Sequence, residues 1–140
     1  MRVSPGTARR VLFRTALFAL LLVSSTVGAA DLRGWFVDVG QGDSALFVSP
    51  TGKVVLVDAG PAGSDDAIRE TMAVAGVEAI DLVVLTHAHV DHIGGLRALL
   101  ADVPVRRVLD SGFPHPSRAY EKLLKALEAA RVPVETARRG

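Results

Sequence analysis

The chain has 140 residues, of which 49% are hydrophobic and 22% charged, and its formal net charge is +1. This length suits one domain or part of one, and this composition excludes a chain that is disordered throughout. There is no cysteine, which excludes disulfides, thiolate zinc sites, a lipid-attachment cysteine and a cysteine nucleophile.

Residues 1–30 predict a signal peptide. Their basic start holds four arginines and no acid, and the apolar stretch 15–27 has the length of a signal h-region. Small residues then predict cleavage after Ala29 or Ala30. An uncleaved anchor is the less favoured alternative, because a membrane span needs about 20 residues. We expect a periplasmic or extracellular mature chain without a stable membrane partner. The export route stays open, because two adjacent arginines loosely resemble a twin-arginine signal.

The remaining chain carries its charge unevenly. Removing the four arginines of the leader leaves 12 basic and 15 acidic residues, a net charge of −3. Residues 31–96 hold three basic residues against ten acidic ones, whereas residues 97–140 hold nine against five. The acidic half suits a cation site. The basic half lacks interleaved aromatic residues and is weak evidence for nucleic acid.

The first part of the mature chain predicts antiparallel strands. WFVDVG, residues 35–40, predicts a strand that ends in the loop GQGDS, and its two aromatic residues are expected in the core or at its rim. ALFVSP and KVVLVDAG flank Thr51 and Gly52 and predict a hairpin, because glycine can adopt the positive φ of such turns.

The second part alternates helices and strands. Ser64 is expected to cap a helix that Gly76 ends. Residues 80–85 are apolar on both faces, which predicts a strand in a sheet covered on both sides. The further predicted elements are a helix at about 93–100, a strand at 104–109, a helix that Ser117 opens, and a strand from 132. This order predicts an α/β layered fold.

A dense histidine motif follows the predicted strand 80–85. His87 and His89 are two apart, so in an extended segment their side chains lie on the same side and can converge on one ion. Asp91 and His92 are adjacent, and a turn can aim both at a second point. Neutral imidazole with carboxylate suits Zn²⁺, and also Mn²⁺ or Fe²⁺. The sequence therefore predicts a metal site rather than idle surface histidines.

The motif THAHVDHIGG resembles the H-x-H-x-D-H signature of the metallo-β-lactamase fold superfamily. VLVDAG, which contains Asp58, is similar to that family's earlier acidic motif. FVDVGQGDSALFVSPTGKVVLVDAG and LDSGFPHPSRAYEKLLKALE resemble the hydrolase domain of ComEC-type competence proteins and of stand-alone secreted relatives. The resemblance implies an αβ/βα sandwich. We expect residues 31–140 to be its N-terminal half, truncated at the C-terminus.

The resemblance also implies roles for individual residues. His87 and His89 would bind a first metal, and Asp91 and His92 a second. Asp58 would support the histidine loop, although a turn-forming aspartate is the alternative. We consider two further residues as possible lining of the cleft, with a structural turn as the favoured alternative: Asp43 and Ser44. His115, between two prolines, is expected to be exposed and without a role.

The implied reaction is metal-dependent hydrolysis of an ester, a phosphodiester or an amide, with Asp91 as the catalytic residue that orients the activated water. The family completes its site with later ligands that this chain does not supply, so we expect one or two zinc ions and poor activity of the chain alone. The alternative is a non-catalytic domain that keeps the fold for binding. The sequence leaves open whether the substrate is a small molecule or a nucleic acid, and it leaves the oligomeric state open.

Overall fold

The computed structural model describes residues 31–138. They form one six-stranded sheet in which the strands lie side by side in chain order. The first three strands pair antiparallel and the last three extend the sheet in parallel. The strands are β1 (Arg33–Phe36), β2 (Ala45–Val48), β3 (Val54–Val57), β4 (Leu82–Leu85), β5 (Val108–Asp110) and β6 (Val134–Thr136). The predicted α/β class and the order of elements are confirmed.

Each connection between two parallel strands contains at least one helix. The helices are α1 (Asp65–Ala75), α2 (Val90–Ile93), α3 (Leu96–Leu99) and α4 (Arg118–Ala129). Gly76 ends α1 with φ 72°, as predicted, and the Ser117 side chain caps α4 by accepting from the Tyr120 N–H. Ser64 precedes α1, but its side chain makes no capping hydrogen bond. The single helix predicted at 93–100 is wrong, because Gly94 and Gly95 divide it into α2 and α3.

Alternate strand residues build the core on one face of the sheet. Leu46, Leu56, Val83 and Val108 are fully buried there, packed with residues of the helices such as Ile68 of α1. Burying an aliphatic side chain of this size stabilises the fold by about 1.5–3 kcal/mol. The core therefore fixes the register of the strands and, with it, the places where the strands end.

The opposite face of the sheet is apolar but only half-buried within the described residues. Phe47, Val55, Leu82 and Val84 lie on it, so the prediction that β4 is buried on both faces is wrong for the described part of the chain. Phe36 also lies there, 89% exposed, which corrects its expected place in the core or at its rim, whereas Trp35 packs against the core.

The predicted signal peptide lies outside the described residues. Between residues 31 and 138 we find no helix with both the length and the apolar character needed to cross a bilayer.

Candidate metal centre

The candidate site forms where two neighbouring parallel strands end. Asp58 directly follows β3, and Thr86 and His87 follow β4, which pairs with β3 in parallel. Because the carboxyl ends of parallel strands meet at one edge of a sheet, residues far apart in sequence come together there. His89 then precedes α2, which carries Asp91 and His92.

Asp58 is the buried centre of this arrangement. Its side chain is 2% exposed and accepts three hydrogen bonds. Oδ1 accepts from the Thr86 N–H at 2.9 Å, while Oδ2 accepts from Thr86 Oγ1 at 2.5 Å and from His92 Nδ1 at 2.8 Å. Its φ of 54° lies in the left-handed region, which aspartate tolerates better than most residues. Asp58 thus ties the end of β3 to the histidine loop and to α2.

These hydrogen bonds select one tautomer for two histidines. The ionised Asp58 carboxylate only accepts, so His92 Nδ1 carries the hydrogen. The Thr86 hydroxyl has a single hydrogen, which it donates to Asp58, so at 3.0 Å it accepts from His87 Nδ1. In both neutral rings Nε2 therefore keeps its lone pair. In proteins, metal-binding histidines are oriented in this way, by a hydrogen bond from the ring nitrogen that does not bind the metal.

The ring positions fit a metal centre. Asp58, His87 and His92 each place a donor atom within 4.8 Å of the others. The centroids of His87 and His89 are 4.6 Å apart with an edge-on arrangement. Two imidazoles that bind one ion at about 2.0–2.1 Å have their centroids about 4.5–5.2 Å apart. The donor set of imidazole and carboxylate suits Zn²⁺, Mn²⁺ or Fe²⁺.

Asp58 is better placed as a support than as a ligand. Both of its oxygens are already occupied by hydrogen-bond donors, and it is the most buried member of the group. Asp91, in contrast, lies half-buried in the first turn of α2, outside the group of three, and His89 is exposed.

The sequence missed Thr86, although its place directly before His87 was visible. For Ser44 the sequence left open a place in the lining of the cleft, beside the favoured structural role. Its side chain is 4% exposed, and its hydroxyl donates to the Asp58 carbonyl at 3.1 Å, so it does not line the cleft. Asp43 does reach the edge of the site, where its Oδ2 lies 3.9 Å from His92 Nε2.

Two glycines let α2 and α3 lie against the chain that follows β3. A Cβ on Gly94 would collide with the backbone of Pro61 and Ala62, and one on Gly95 with the carbonyl of Ala59. The same region is joined by hydrogen bonds from Gly94 N–H to the Gly60 carbonyl at 2.8 Å. This close approach, which only residues without a Cβ allow, holds α2 beside Asp58.

The loop between β5 and α4 brings a fourth histidine to the site. The His115 ring centroid lies 5.0 Å from that of His89, and the residue is half-buried, which corrects the expected exposed position. Buried Asp110 anchors this loop by accepting from the Gly112 N–H at 2.7 Å and from the Tyr120 hydroxyl at 2.6 Å. Burial and this bond to Asp110 raise the pKa of Tyr120 to about 12, so it stays a neutral donor.

A cavity of about 770 Å³ lies elsewhere, near the amino ends of β3 and β4. Its cations are paired. Lys53 and Arg106 both contact Asp81, and the backbone N–H of Val54, followed by Lys53, lowers the pKa of that carboxyl. Arg69 contacts Asp65, Asp66 and Asp102. Its hydrogen bonds to Asp102 and then to Asp65 raise its pKa.

Residues 37–136 match the sequence profile of the Metallo-beta-lactamase superfamily. The chain belongs to this superfamily. Its fold corresponds to the N-terminal half of the family's αβ/βα sandwich, as the histidine motif predicted. The family and the cluster of histidine and aspartate together indicate a metal-binding site in a superfamily that includes hydrolases.

Three similar proteins illustrate the relationship. ComE operon protein 3 of Bacillus subtilis is 29% identical over all of this chain and 19% of its own length. Ribonuclease Z of Bradyrhizobium diazoefficiens is 35% identical over 47% of this chain and 21% of its own length. Among solved structures, a metallo-β-lactamase of Cronobacter sakazakii is 31% identical with a TM-score of 0.47, covering 54% of this chain and 29% of that one. The chain thus spans less than a third of each of them.

Proposed function

We propose that this chain carries the metal-binding half of an exported metal-dependent hydrolase, with one or two zinc ions as its cofactor. One observation supports it above the others. His87 and His92 lie with ring centroids 4.0 Å apart, and each has Nδ1 engaged by a hydrogen bond that leaves Nε2 for a cation. Histidines without a shared purpose have no need of a buried carboxylate and a hydroxyl that orient them together.

The histidines take different parts in this proposal. His87 and His89 hold the first ion, as their edge-on rings suggest, and His92 with Asp91 holds a second beside it. The ring centroids of His87 and His92 are 4.0 Å apart, so the two ions that these residues would hold would be neighbours. Asp58 and Thr86 keep the rings in place without binding metal.

A bound divalent cation would supply Lewis acidity at the substrate oxygen and would lower the pKa of a coordinated water towards about 7. Asp91 is the catalytic residue in this proposal. From the first turn of α2 it orients the attacking water and accepts its proton, which it can then pass to the leaving group. The His115 ring lies beside that of His89, next to the place where the first ion would be held.

We propose a phosphodiester as the first substrate class to assay, ahead of other esters and amides. The similarity to proteins named ribonuclease Z supports that order. For the location we propose export, because residues 1–30 have the pattern of a leader and residues 31–140 then form the mature domain. N-terminal sequencing of the exported protein should find Ala30 or Asp31 first, and an intact Met1 would favour an anchor.

The experiment combines metal content with turnover. The chain is purified free of metal, reloaded with Zn²⁺ or Mn²⁺, and assayed on a generic phosphodiester and on DNA, with and without chelator. We compare wild type with a His87→Ala plus His89→Ala variant and with Asp91→Asn. Asp66→Asn, a change on the exposed side of α1, serves as the matched control.

The results distinguish a metal-dependent hydrolase from a non-catalytic binding domain. Metal binding that the histidine variant loses and the control retains supports the metal centre. Chelator-sensitive turnover that Asp91→Asn loses supports the hydrolase. Weak turnover or none is expected of this chain alone, because the resemblance implies later ligands that it does not supply. A version extended through those ligands that binds metal without turnover on any substrate would favour a binding domain. Metal content that the histidine variant leaves unchanged would overturn the proposal.

A further inference from the structure

The loop between β1 and β2 places a carboxylate opposite one of the free histidine nitrogens. Asp43 Oδ2 lies 3.9 Å from His92 Nε2, and the Asp43 side chain is 82% exposed. His92 donates its Nδ1 hydrogen to Asp58, so the neutral ring presents only a lone pair at Nε2. Two acceptors that face each other at this distance do not form a hydrogen bond, whereas a cation between them attracts both.

The distance suits such a cation. Two donors that each lie about 2.0–2.2 Å from one zinc ion are separated by no more than about 4.4 Å. At 3.9 Å, Asp43 Oδ2 and His92 Nε2 fall inside this limit without any movement of the backbone. A carboxylate on an exposed loop also loses little hydration before it binds the ion.

The loop is fixed against the metal centre on two sides. Gly42 has φ 74°, and a Cβ there would overlap the carbonyl group of Asp91 at the start of α2. On the other side, the Asp43 carbonyl accepts from the Gly60 N–H at 3.0 Å. Ser44, the next residue, donates to the Asp58 carbonyl. The position of Asp43 is therefore set by contacts of its neighbours and of its own backbone, which leaves its carboxylate available.

We infer that Asp43 is a metal ligand, which completes the binding of the cation held by His92. This inference rests on the proposed metal centre and extends it with a donor from a different part of the sheet. Asp43 adds a negative charge where His92 supplies a neutral nitrogen, and so it favours a divalent cation at that position over a monovalent one.

The test is Zn²⁺ binding by the full chain, measured by titration against a competing chelator in wild type, Asp43→Asn and Asp38→Asn. Asp38→Asn is the matched control, since it removes an equal charge from the same loop and asparagine can still accept from the Gly40 N–H. We expect Asp43→Asn to weaken binding of one Zn²⁺ at least tenfold and Asp38→Asn to change it less than twofold. Thermal unfolding without metal checks that both variants fold like wild type.

A double variant sharpens the result. If Asp43 and His92 bind the same ion, Asp43→Asn combined with His92→Gln weakens Zn²⁺ binding less than the product of the two single effects. If Asp43→Asn binds Zn²⁺ as tightly as wild type does, this inference is overturned and the proposed metal centre stands. A wild-type chain that binds no Zn²⁺ would overturn both.

Discussion

Asp58 and His92 are 34 residues apart, yet His92 Nδ1 lies 2.8 Å from Asp58 Oδ2. The same oxygen accepts from Thr86 Oγ1, which in turn contacts His87 Nδ1 at 3.0 Å. One buried carboxylate thus orients two imidazoles, one directly and one through a hydroxyl. The consequence is that changes at Asp58 and Thr86 should act on metal binding although neither side chain is a proposed ligand.

Replacing Thr86 by valine should weaken metal binding through His87. Valine keeps the shape but lacks the hydroxyl, so His87 Nδ1 loses its partner while the backbone N–H still donates to Asp58. Loss of such an orienting partner lowers metal affinity about 10–100-fold. Thr86→Ser retains the hydroxyl and should stay within about threefold of wild type. Competition titration with Zn²⁺ measures both, and equal affinities for Thr86→Val and wild type would contradict the role of the hydroxyl.

Two glycines of one loop allow strain and steric overlap to be separated. Gly40 and Gly42 have φ of 76° and 74°, but a Cβ on Gly40 meets nothing within 4 Å, whereas one on Gly42 meets the Asp91 backbone. Gly40→Ala should lower the free energy of unfolding by about 1 kcal/mol, from its positive φ alone. Gly42→Ala should lower the free energy of unfolding by about 1–3 kcal/mol more than Gly40→Ala does, because α2 or the loop must move.

Urea unfolding of the two alanine variants measures this difference, and Zn²⁺ titration shows its effect on the site. Only Gly42→Ala should also weaken metal binding, because Asp91 follows the displaced backbone. Equal losses of stability in the two variants would show that the close contact between the loop and α2 contributes nothing.

The sequence predicted the elements whose local pattern is strong. The apolar strands before Asp58 and before His87 and the glycine that ends α1 were found from periodicity and from turn chemistry. The place of Ser44 could also have been found. Side chains alternate between the two faces of a strand, and Ser44 is spaced by two residues from Leu46, as Leu46 is from Val48, so it points to the same buried face. Adjacent Asp43 then points away from the core, as the structure shows.

Other features depend on tertiary packing that no short pattern carries. His115 reaches His89 only because α4 and its preceding loop are anchored through Asp110, in a strand beside β4. The link from Thr86 to both Asp58 and His87 needs the parallel pairing of β3 and β4 in the observed register. Phe36 was misplaced because its apolar character indicated burial, whereas the strand directs it to the half-covered face.

Stability at high pH should depend on Tyr120. Burial and its hydrogen bond to Asp110 raise its pKa to about 12 from an ordinary 10.0. Because the folded state holds the proton more tightly, the stabilisation is fully present below pH 10 and is lost as the pH rises towards 12. Tyr120→Phe leaves Asp110 with one donor fewer and should lower the free energy of unfolding by about 1–3 kcal/mol at neutral pH.

The difference in unfolding temperature between wild type and Tyr120→Phe should therefore be constant below pH 10 and shrink between pH 10 and 12. Thermal unfolding followed by circular dichroism across this range measures it. A difference that stays the same up to pH 12 would show that the phenol does not titrate in contact with Asp110.

Asp58→Asn should reverse the tautomer of His92. Asparagine tolerates the left-handed φ of 54°, so the backbone need not change. Its carbonyl oxygen can still accept from the Thr86 N–H, which turns the amide NH₂ towards His92 Nδ1. Nδ1 must then accept, so the ring carries its hydrogen on Nε2 and no longer has a lone pair for a cation there.

Long-range ¹H–¹⁵N correlation spectra of the metal-free protein can read these tautomers at about pH 8, above the ordinary histidine pKa of about 6.5. Wild type should show Nδ1–H for both His87 and His92. Asp58→Asn should switch His92 to Nε2–H and weaken Zn²⁺ binding more than Thr86→Val does. Thr86→Val should alter the His87 signals and leave those of His92 in place, because His92 contacts Asp58 directly. If Asp58→Asn kept the Nδ1–H form of His92, the Asp58 carboxylate would not determine which nitrogen of His92 keeps its lone pair.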